Sequence, residues 1–292
     1  MSSWQPDSPV ERPDGSLVCK AHGLVVCGVC TVDYSFMLEN LNNSPFYDVV
    51  PRPTREQTLN PVPGVFPTRF RPSAPTDIPS SLFTYGNIFD HHRFVRRTDS
   101  KEILIFTDGA CLDNGKENPR AGCGFVFRPQ TTNQPVKGGS FEFRLESRGP
   151  SGDALPQTSN RAELRAVIAA LQYRAWDGEG WNRIVIATDS EYTVKGATEW
   201  IKNWQSNGWR TSNREPVKNK DSWELLLKEV RFLKEKGVEV VFWWIPRELN
   251  GEADAAAKRG AQEGEQQQFV RYCGVYTGIG GEMMSLMMPL PS

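Results

Sequence analysis

Short apolar runs and helix-forming segments alternate through the second half of the chain. The runs at 103–107, 122–128 and 141–146 follow one another at hairpin-like distances, and they predict three antiparallel strands. Further strands are predicted at 183–188 and 238–245, and these alternate with helical patterns, which lie at 160–173, 200–204, 222–236 and 252–262. This order predicts an α/β domain with a mixed five-stranded sheet flanked by helices.

The rest of the chain has a different pattern. A proline-rich stretch with little periodicity precedes the α/β segment, and a glutamine run, glycines and paired methionines follow it. We therefore expect a small module at 1–44, an extended and poorly packed linker at 45–98, the α/β domain at 99–263 and a flexible tail at 264–292.

The amino-terminal segment contains a compact set of cysteine and histidine residues. Cys19, His22, Cys27 and Cys30 offer four ligands within twelve residues, in two close pairs. Tetrahedral Zn²⁺ takes four such ligands, and in so small a module it would supply the folding energy. The alternative is that these are unrelated cysteines on a buried strand near residues 24–26. A zinc module would have a protein or a nucleic acid as its partner.

Four acidic residues stand at the ends or starts of the predicted elements. Asp108 and Asp189 directly follow apolar strands, and Glu163 and Asp254 lie in the first turns of two helices. If the two strands are parallel neighbours, their carboxylates meet at one sheet edge, where they would need cations such as Mg²⁺ or Mn²⁺. Each acid also has an ordinary alternative role: Asp108 in a turn, Asp189 as a helix cap, Glu163 in a capping box begun by Asn160, and Asp254 at a helix dipole.

Taken together, the motifs around these acids resemble a known family. The segments TDGAC (107–111), TSNRAEL (158–164), ATDS (187–190) and NGEAD (250–254) stand in the order found in ribonuclease H of the cellular type 1 kind, and the likeness covers about 101–261. The resemblance implies a ribonuclease H-like fold in which Asp108, Glu163, Asp189 and Asp254 bind two Mg²⁺ or Mn²⁺ ions. It also implies hydrolysis of the RNA strand of RNA–DNA hybrids. The alternatives are a non-catalytic nucleic-acid binder that keeps the fold, and a nuclease of the same superfamily that acts on DNA or structured RNA.

The same resemblance implies where the hybrid binds. Residues 195–220 carry six basic and two acidic side chains, a local charge of 6 − 2 = +4, and they look like the basic protrusion of the family. The resemblance places the DNA strand in a channel and in a phosphate pocket, and it assigns amide contacts to the RNA 2′-hydroxyls. Pro156 and Ser159 depart from the family pattern, at a pocket arginine and at an asparagine respectively. The expected substrate contacts are Asn114, Thr158, Asn160, Tyr192, Trp200, Lys202, Trp204, Lys218 and Asn219. For the tryptophans the alternative is a role as core aromatics under a solvated basic face.

Charge and hydropathy restrict the partners. The net charge is −1, so a polyanion must meet a local patch rather than the whole molecule. No apolar run approaches the roughly 18 residues of a membrane span, and the first ten residues do not form a secretory signal. We expect an intracellular monomer without a membrane partner, located in the nucleus or cytoplasm, with the mitochondrion left open.

The loop before the last acid lacks a family feature. Family members usually carry a histidine there, whereas this chain has histidines only at 22, 91 and 92. Glu248 is the nearest residue able to accept a proton, although a solvent-exposed loop acid is its ordinary interpretation. The sequence therefore predicts a slower enzyme whose pH–rate curve has no histidine step.

Overall fold

The structure is a computed structural model, and it describes residues 9–13, 15–30, 32–34, 64–88, 91–129, 139–276 and 283–289. For residues 275–276 and 283–289 only the backbone is described. The strands are β1 Val10–Glu11, β2 Leu17–Val18, β3 Val26–Cys27, β4 Val32–Asp33, β5 Thr68–Arg69, β6 Phe83–Ile88, β7 His91–Arg96, β8 Asp99–Leu112, β9 Arg120–Val126, β10 Ser140–Arg144, β11 Arg183–Thr188, β12 Glu239–Trp244, β13 Val270–Tyr276 and β14 Met283–Pro289. The α-helices are α1 Pro79–Leu82, α2 Ser159–Gln172, α3 Glu191–Lys195, α4 Ile201–Ser206, α5 Lys220–Glu235 and α6 Gly251–Gly260. A π-helical turn, Gly196–Trp200, joins α3 to α4, and a 3₁₀ turn, Arg247–Leu249, precedes α6.

The central sheet confirms the predicted mixed α/β architecture. Its order is β10-β9-β8-β11-β12-β5, with β8, β9 and β10 antiparallel and β8, β11, β12 and β5 parallel. The five predicted strands are all present. The sheet has eight strands, however, because β5 extends one edge and the β6–β7 hairpin pairs with the first half of β8.

The additional strands contradict part of the predicted linker. Residues 45–63 lie outside the described part, but 64–88 and 91–98 are packed into the domain. The helices α2 and α5 cover one face of the sheet, and α6 covers part of the other. The remaining apolar surface, which includes Leu104, Val185 and Trp243, is covered by Phe83 and Phe70 from the 64–98 segment. Prolines obscured the apolar pattern of this segment because they lie between its strands and at the start of α1 rather than within the strands.

The predicted flexible tail is also wrong, over residues 265–276. The side chains of Phe269 and Tyr272 are buried, and the Phe269 ring lies 4.3 Å from the Arg165 guanidinium carbon. Arg165 forms a buried ion pair with Glu146 at 2.7 Å and donates to the carbonyl of Val270 at 2.6 Å. The segment at 265–276 covers the buried Arg165–Glu146 pair, and these contacts hold it on the domain although its sequence is rich in polar residues.

The amino-terminal module packs on the same domain. Val25 and Val26 form a small apolar cluster with Ala175, and the Val26 amide donates to the Gly178 carbonyl at 3.2 Å. The Val26 carbonyl in turn lies 3.0 Å from Nε2 of the buried His91. Among the helices that the structure describes, none is long and apolar enough to cross a membrane.

Candidate active site and metal centre

Two aspartates lie at one edge of the sheet because their strands are parallel. The register pairs Ile105 with Ile186 and Phe106 with Ala187, so Asp108 and Asp189 each come two residues after the last pair. Asp108 is almost fully buried at 3% exposure. The sequence predicted this arrangement, and the structure shows it.

Glu163 reaches the same edge from the first half of α2. A Cβ atom at Gly109 would lie 2.1 Å from the Glu163 amide nitrogen, so only glycine allows the helix to approach β8 this closely. One carboxylate oxygen from each of Asp108, Glu163 and Asp189 lies within 4.8 Å of those of the other two. The predicted cap was wrong: the N-cap is Thr158, whose hydroxyl accepts from the backbone, and Asn160 is already inside the helix.

The fourth acid lies beside this group rather than within it. Asp254 is in the first turn of α6, which approaches β9 closely because Gly122 and Gly124 leave no side chain in the way. The Asp254 carboxylate pairs with Arg247 at 2.7 Å and with Lys258 at 2.6 Å. Arg247 also lies 3.6 Å from Asp189, so its guanidinium bridges the two aspartates.

An amide that the sequence reasoning missed holds this edge together. Asn250 is 1% exposed, and its Nδ2 donates to Asp189 Oδ1 at 2.8 Å and to the Thr107 carbonyl at 3.0 Å. Its own carbonyl accepts from the Asp254 amide at 3.0 Å. Asn250 thus connects β8, β11 and α6. The only sequence signal was its place in the motif before Asp254.

Asp108 and Glu163 strongly disfavour ionisation when no cation is present. Burial, together with the charges of Asp189 and Asp254, raises the pKa of Asp108 to about 7. Burial, with Asp108 and Asp189 next, raises the pKa of Glu163 well above its ordinary value. A divalent cation would relieve both effects, and three carboxylates are the hard oxygen ligands that Mg²⁺ and Mn²⁺ prefer. The residues therefore fit a metal, which when bound would stabilise charge on the oxygens of a phosphodiester under attack.

Comparison with known proteins agrees with this geometry. The model of the RNase H family matches residues 100–262, which is more than half of the chain. The chain belongs to the ribonuclease H family. Its catalytic domain is accordingly a ribonuclease H, a hydrolase of the RNA strand of RNA–DNA hybrids, and the family implies a divalent metal at the group formed by Asp108, Glu163 and Asp189.

Individual relatives show how far the likeness extends. The chain is 42% identical to "Ribonuclease H" of Treponema pallidum over 125 residues, which are 42% of this chain and 70% of that protein. It is 32% identical to "Ribonuclease H1" of Homo sapiens over 167 residues, 56% of this chain and 51% of that protein. This chain therefore spans about half the length of the human relative. A solved structure, described as LC9-RNase H1, a type 1 RNase H with the type 2 active-site motif, is 26% identical; the match covers 56% of this chain and 72% of that chain, with a TM-score of 0.41.

Two tryptophans of the basic protrusion of this ribonuclease H belong to an aromatic cluster that continues into the core. The rings of Trp200 and Trp204 are 5.7 Å apart, and Trp204 lies 5.5 Å from the fully buried Trp223. The Tyr192 hydroxyl accepts from Trp223 Nε1 at 3.2 Å and from Asn219 Nδ2 at 3.3 Å. Trp223 was not among the predicted site residues. Tyr192, Trp200 and Trp204 are half-buried: Tyr192 and Trp204 pack against the core, and Trp200 packs against both of them.

The charged residues of the protrusion are largely on its surface. Lys202 and Lys218 are exposed, and Lys202 Nζ lies 5.7 Å from the ring centre of Phe66. Phe66 belongs to the segment predicted to be a linker, so this segment supports the protrusion as well as the sheet.

The residues expected to contact the RNA strand and a DNA phosphate lie at the start of α2, at the start of α5 and in the loop after β8. Asn114 Nδ2 lies 3.4 Å from the Ser159 hydroxyl, and Asn160 is exposed nearby at the start of α2. Thr158 serves as the N-cap of this helix, and Asn219 has a left-handed backbone with φ of 57°. The roles predicted for these residues stay predictions.

The residue expected to replace the missing histidine is not the one that faces the acids. Glu248 is exposed, and no hydrogen bond or ion pair joins it to the acids among the described residues. Its neighbour Arg247 makes those contacts instead.

The four predicted zinc ligands lie together. One atom from each of Cys19, His22, Cys27 and Cys30 falls within 4.8 Å of the others, and His22 Nδ1 is 3.2 Å from Cys30 Sγ and 3.4 Å from Cys27 Sγ. Burial and the neighbouring Cys27 thiol raise the pKa of Cys30 to about 12. The cluster could hold a metal.

Proposed function

We propose that this chain is an active endoribonuclease that cleaves the RNA strand of RNA–DNA hybrids with two Mg²⁺ or Mn²⁺ ions. Asp108, Glu163, Asp189 and Asp254 would hold the ions. The observation that carries the proposal is the group of three carboxylates within 4.8 Å, in which burial and the neighbouring charges raise the pKa of Asp108 and of Glu163. Such a group is unfavourable in a purely structural role, and a cation removes the penalty.

The residues around the acids have separate tasks in this proposal. Asn250 keeps Asp189 oriented through a 2.8 Å hydrogen bond, and the Thr107 carbonyl keeps Asn250 in place. Asp254 contributes to metal binding only if its contacts with Arg247 and Lys258 give way. The released Arg247 guanidinium would then be available to a substrate phosphate.

The hybrid would be held away from the metals by the protrusion. In this proposal the DNA strand runs over Tyr192, Trp200 and Trp204, with Lys202 and Lys218 against its phosphates. Half-buried aromatic side chains beside a segment of local charge +4 support this assignment. Asn114 and Asn160 would face the RNA 2′-hydroxyls, and Thr158 and Asn219 a DNA phosphate.

The test is a cleavage assay with three labelled substrates of one sequence: an RNA–DNA hybrid, duplex RNA and duplex DNA. We expect cleavage of the hybrid alone, with Mg²⁺ or Mn²⁺ present, and none by Asp108→Asn. Binding of the hybrid without cleavage under any metal would establish the non-catalytic alternative, and cleavage of duplex DNA or duplex RNA would establish another nuclease of the superfamily.

We further propose that Cys19, His22, Cys27 and Cys30 bind one Zn²⁺, that the module has a protein or nucleic-acid partner, and that the chain acts as a monomer. Elemental analysis of purified protein should give one zinc per chain, and none after Cys27→Ser combined with Cys30→Ser. Light scattering should give the mass of one chain. Zinc retained by the double variant would refute the assignment of ligands.

A further inference from the structure

The added strand β5 is parallel to β8, β11 and β12, so it widens the end of the sheet at which these strands finish and the catalytic acids lie. Starting from β8, which carries Asp108, the parallel strands follow in the order β11, β12 and β5. Thr68 pairs with Val241 and Arg69 with Phe242, and the Phe70 amide donates to the Phe242 carbonyl at 2.7 Å. The chain after β5 therefore leaves the sheet at the same carboxyl edge as Asp189.

The alternation of side chains decides which residues face the substrate side. Phe70 points into the core, with its ring 4.8 Å from Trp243, whereas Arg69 points the other way and reaches Glu199 of the protrusion at 3.4 Å. Side chains two residues apart in an extended chain share a face, so Arg71 lies on the face of Arg69. By the same rule Trp244 lies on the face of Phe242, opposite to Trp243.

Trp244 is an exposed indole placed directly beside a catalytic acid. It is 38% exposed at the end of β12, and its Nε1 donates to the Asp189 carbonyl at 3.2 Å. An exposed tryptophan whose polar atom is fixed at a metal-site edge presents a rigid flat ring to anything bound at that edge. Burial in the core does not account for it.

Arg71 is a cation that no acid among the described residues compensates. Two acids on this side have other partners: Glu191 pairs with Lys195 at 2.6 Å and Glu199 pairs with Arg69. Arg71 itself is exposed, and no ion pair joins it to any acid within the described part of the chain. Adjacent strands are about 4.8 Å apart, so β5 runs roughly 10 Å from β11, a distance that a bound nucleic acid covers readily.

We propose that Trp244 and Arg71 form a second nucleic-acid subsite on the opposite side of the metal centre from the Asn114 loop. In this subsite the indole stacks on a base or ribose next to the scissile position, and the guanidinium binds the following phosphate. The proposal rests on the proposed function, because its ligand is the hybrid substrate itself. It gives the segment at 64–71 a role in binding and not only in packing.

Hybrid binding can be measured by fluorescence anisotropy between 50 and 200 mM salt, in an Asp108→Asn background that does not cleave. Arg71→Ala should weaken binding and lower the log–log salt slope by about one, whereas Arg71→Lys should keep the slope. Trp244→Ala should raise Kd about tenfold, and Trp244→Phe much less. Matched controls are Lys228→Ala and Phe232→Ala, two exposed residues of the same types on α5.

The outcomes separate this inference from the proposed function. Arg71 is exposed, so its variants should fold, and thermal unfolding checks the tryptophan variants. If the parent cleaves the hybrid while Arg71→Ala and Trp244→Ala bind it like their controls, the subsite is refuted and the function stands. If the parent neither binds nor cleaves the hybrid, the proposed function fails. A loss seen in Kd and KM, with kcat at saturating hybrid kept in the cleaving Arg71→Ala enzyme, supports the subsite.

Discussion

Replacing Asp108 by asparagine should abolish cleavage and, in the metal-free protein, increase stability. Both effects come from the same carboxylate. It is 3% exposed beside two other acids, so its charge is useful only when a cation is bound. The amide keeps the shape and can still accept the Gly109 hydrogen bond, but it carries no charge to bury. Cleavage should fall by orders of magnitude, because metal-assisted hydrolysis depends on this ligand.

The increase in stability of Asp108→Asn, and its dependence on pH, follow from the pKa of Asp108. The pKa is about 7 in the folded protein against 3.8 for an unburied aspartate, which corresponds to ~4 kcal/mol at pH 8. Because the folded state binds the proton more tightly than the unfolded state, the parent gains stability as the pH falls from about 8 towards 4. The advantage of Asp108→Asn should therefore shrink to ~2 kcal/mol at pH 5 and vanish below pH 4.

Urea unfolding of parent and variant, with divalent ions removed from the active site but zinc retained, measures both free energies at pH 8 and pH 5. Adding Mg²⁺ should then raise the stability of the parent but hardly that of the variant, since a ligand stabilises only the state that binds it. Equal stabilities of the two metal-free proteins at pH 8 would refute the reasoning that the ionised, buried Asp108 destabilises the fold. A stability difference in favour of the variant that grows as the pH falls would refute it as well.

Three further changes test the surroundings of the site. Gly109→Ala should lower both stability and cleavage because its Cβ would lie 2.1 Å from the α2 backbone, whereas Gly251→Ala, with no atom within 4 Å of its Cβ, should be harmless in the same assays. Lys202→Ala combined with Lys218→Ala should lower the slope of log affinity against log salt for hybrid binding by about two. An unchanged slope would show that these lysines do not contact phosphates. Arg247→Ala should tighten Mn²⁺ binding several-fold in calorimetry without substrate, because the guanidinium occupies the same carboxylates, and weaker binding would contradict this.

Much of the active site could be predicted because it depends on rules that act locally along the chain. Asp108 and Asp189 each stand two residues beyond the last parallel pair of β8 and β11, and this pairing brings them together as the sequence predicts. The strand β8 itself continues to Leu112, so Asp108 lies within it and not directly after it. The same reasoning could not place Arg247 or Asn250, because their contacts depend on how the loop before α6 folds back over the sheet. Nothing in the local sequence distinguishes Arg247 from Glu248, yet only the arginine meets the acids.

The segments before and after the domain were misread for a different reason. Proline and glutamine are typical of unpacked chain, and periodicity arguments give little weight to isolated apolar residues among them. Phe70, Phe83 and Phe269 are such residues. Phe83 and Phe269 become buried and Phe70 half-buried because each covers a surface elsewhere that would otherwise be open to water. The sequence of the segment itself does not contain this information.

The buried ion pairs Arg93–Glu179 and Arg165–Glu146 also affect the order in which the chain folds. Glu179 joins Arg93, 86 residues earlier, while Arg165 reaches the Val270 carbonyl 105 residues later. These charges are shielded only when both distant segments have arrived, so the protein should fold slowly and close its core late, after most of the chain has left the ribosome. A shortened chain of residues 99–263, although it contains all four acids, would leave two arginines and two glutamates uncovered. Such a fragment should populate a loosened state rather than the native one.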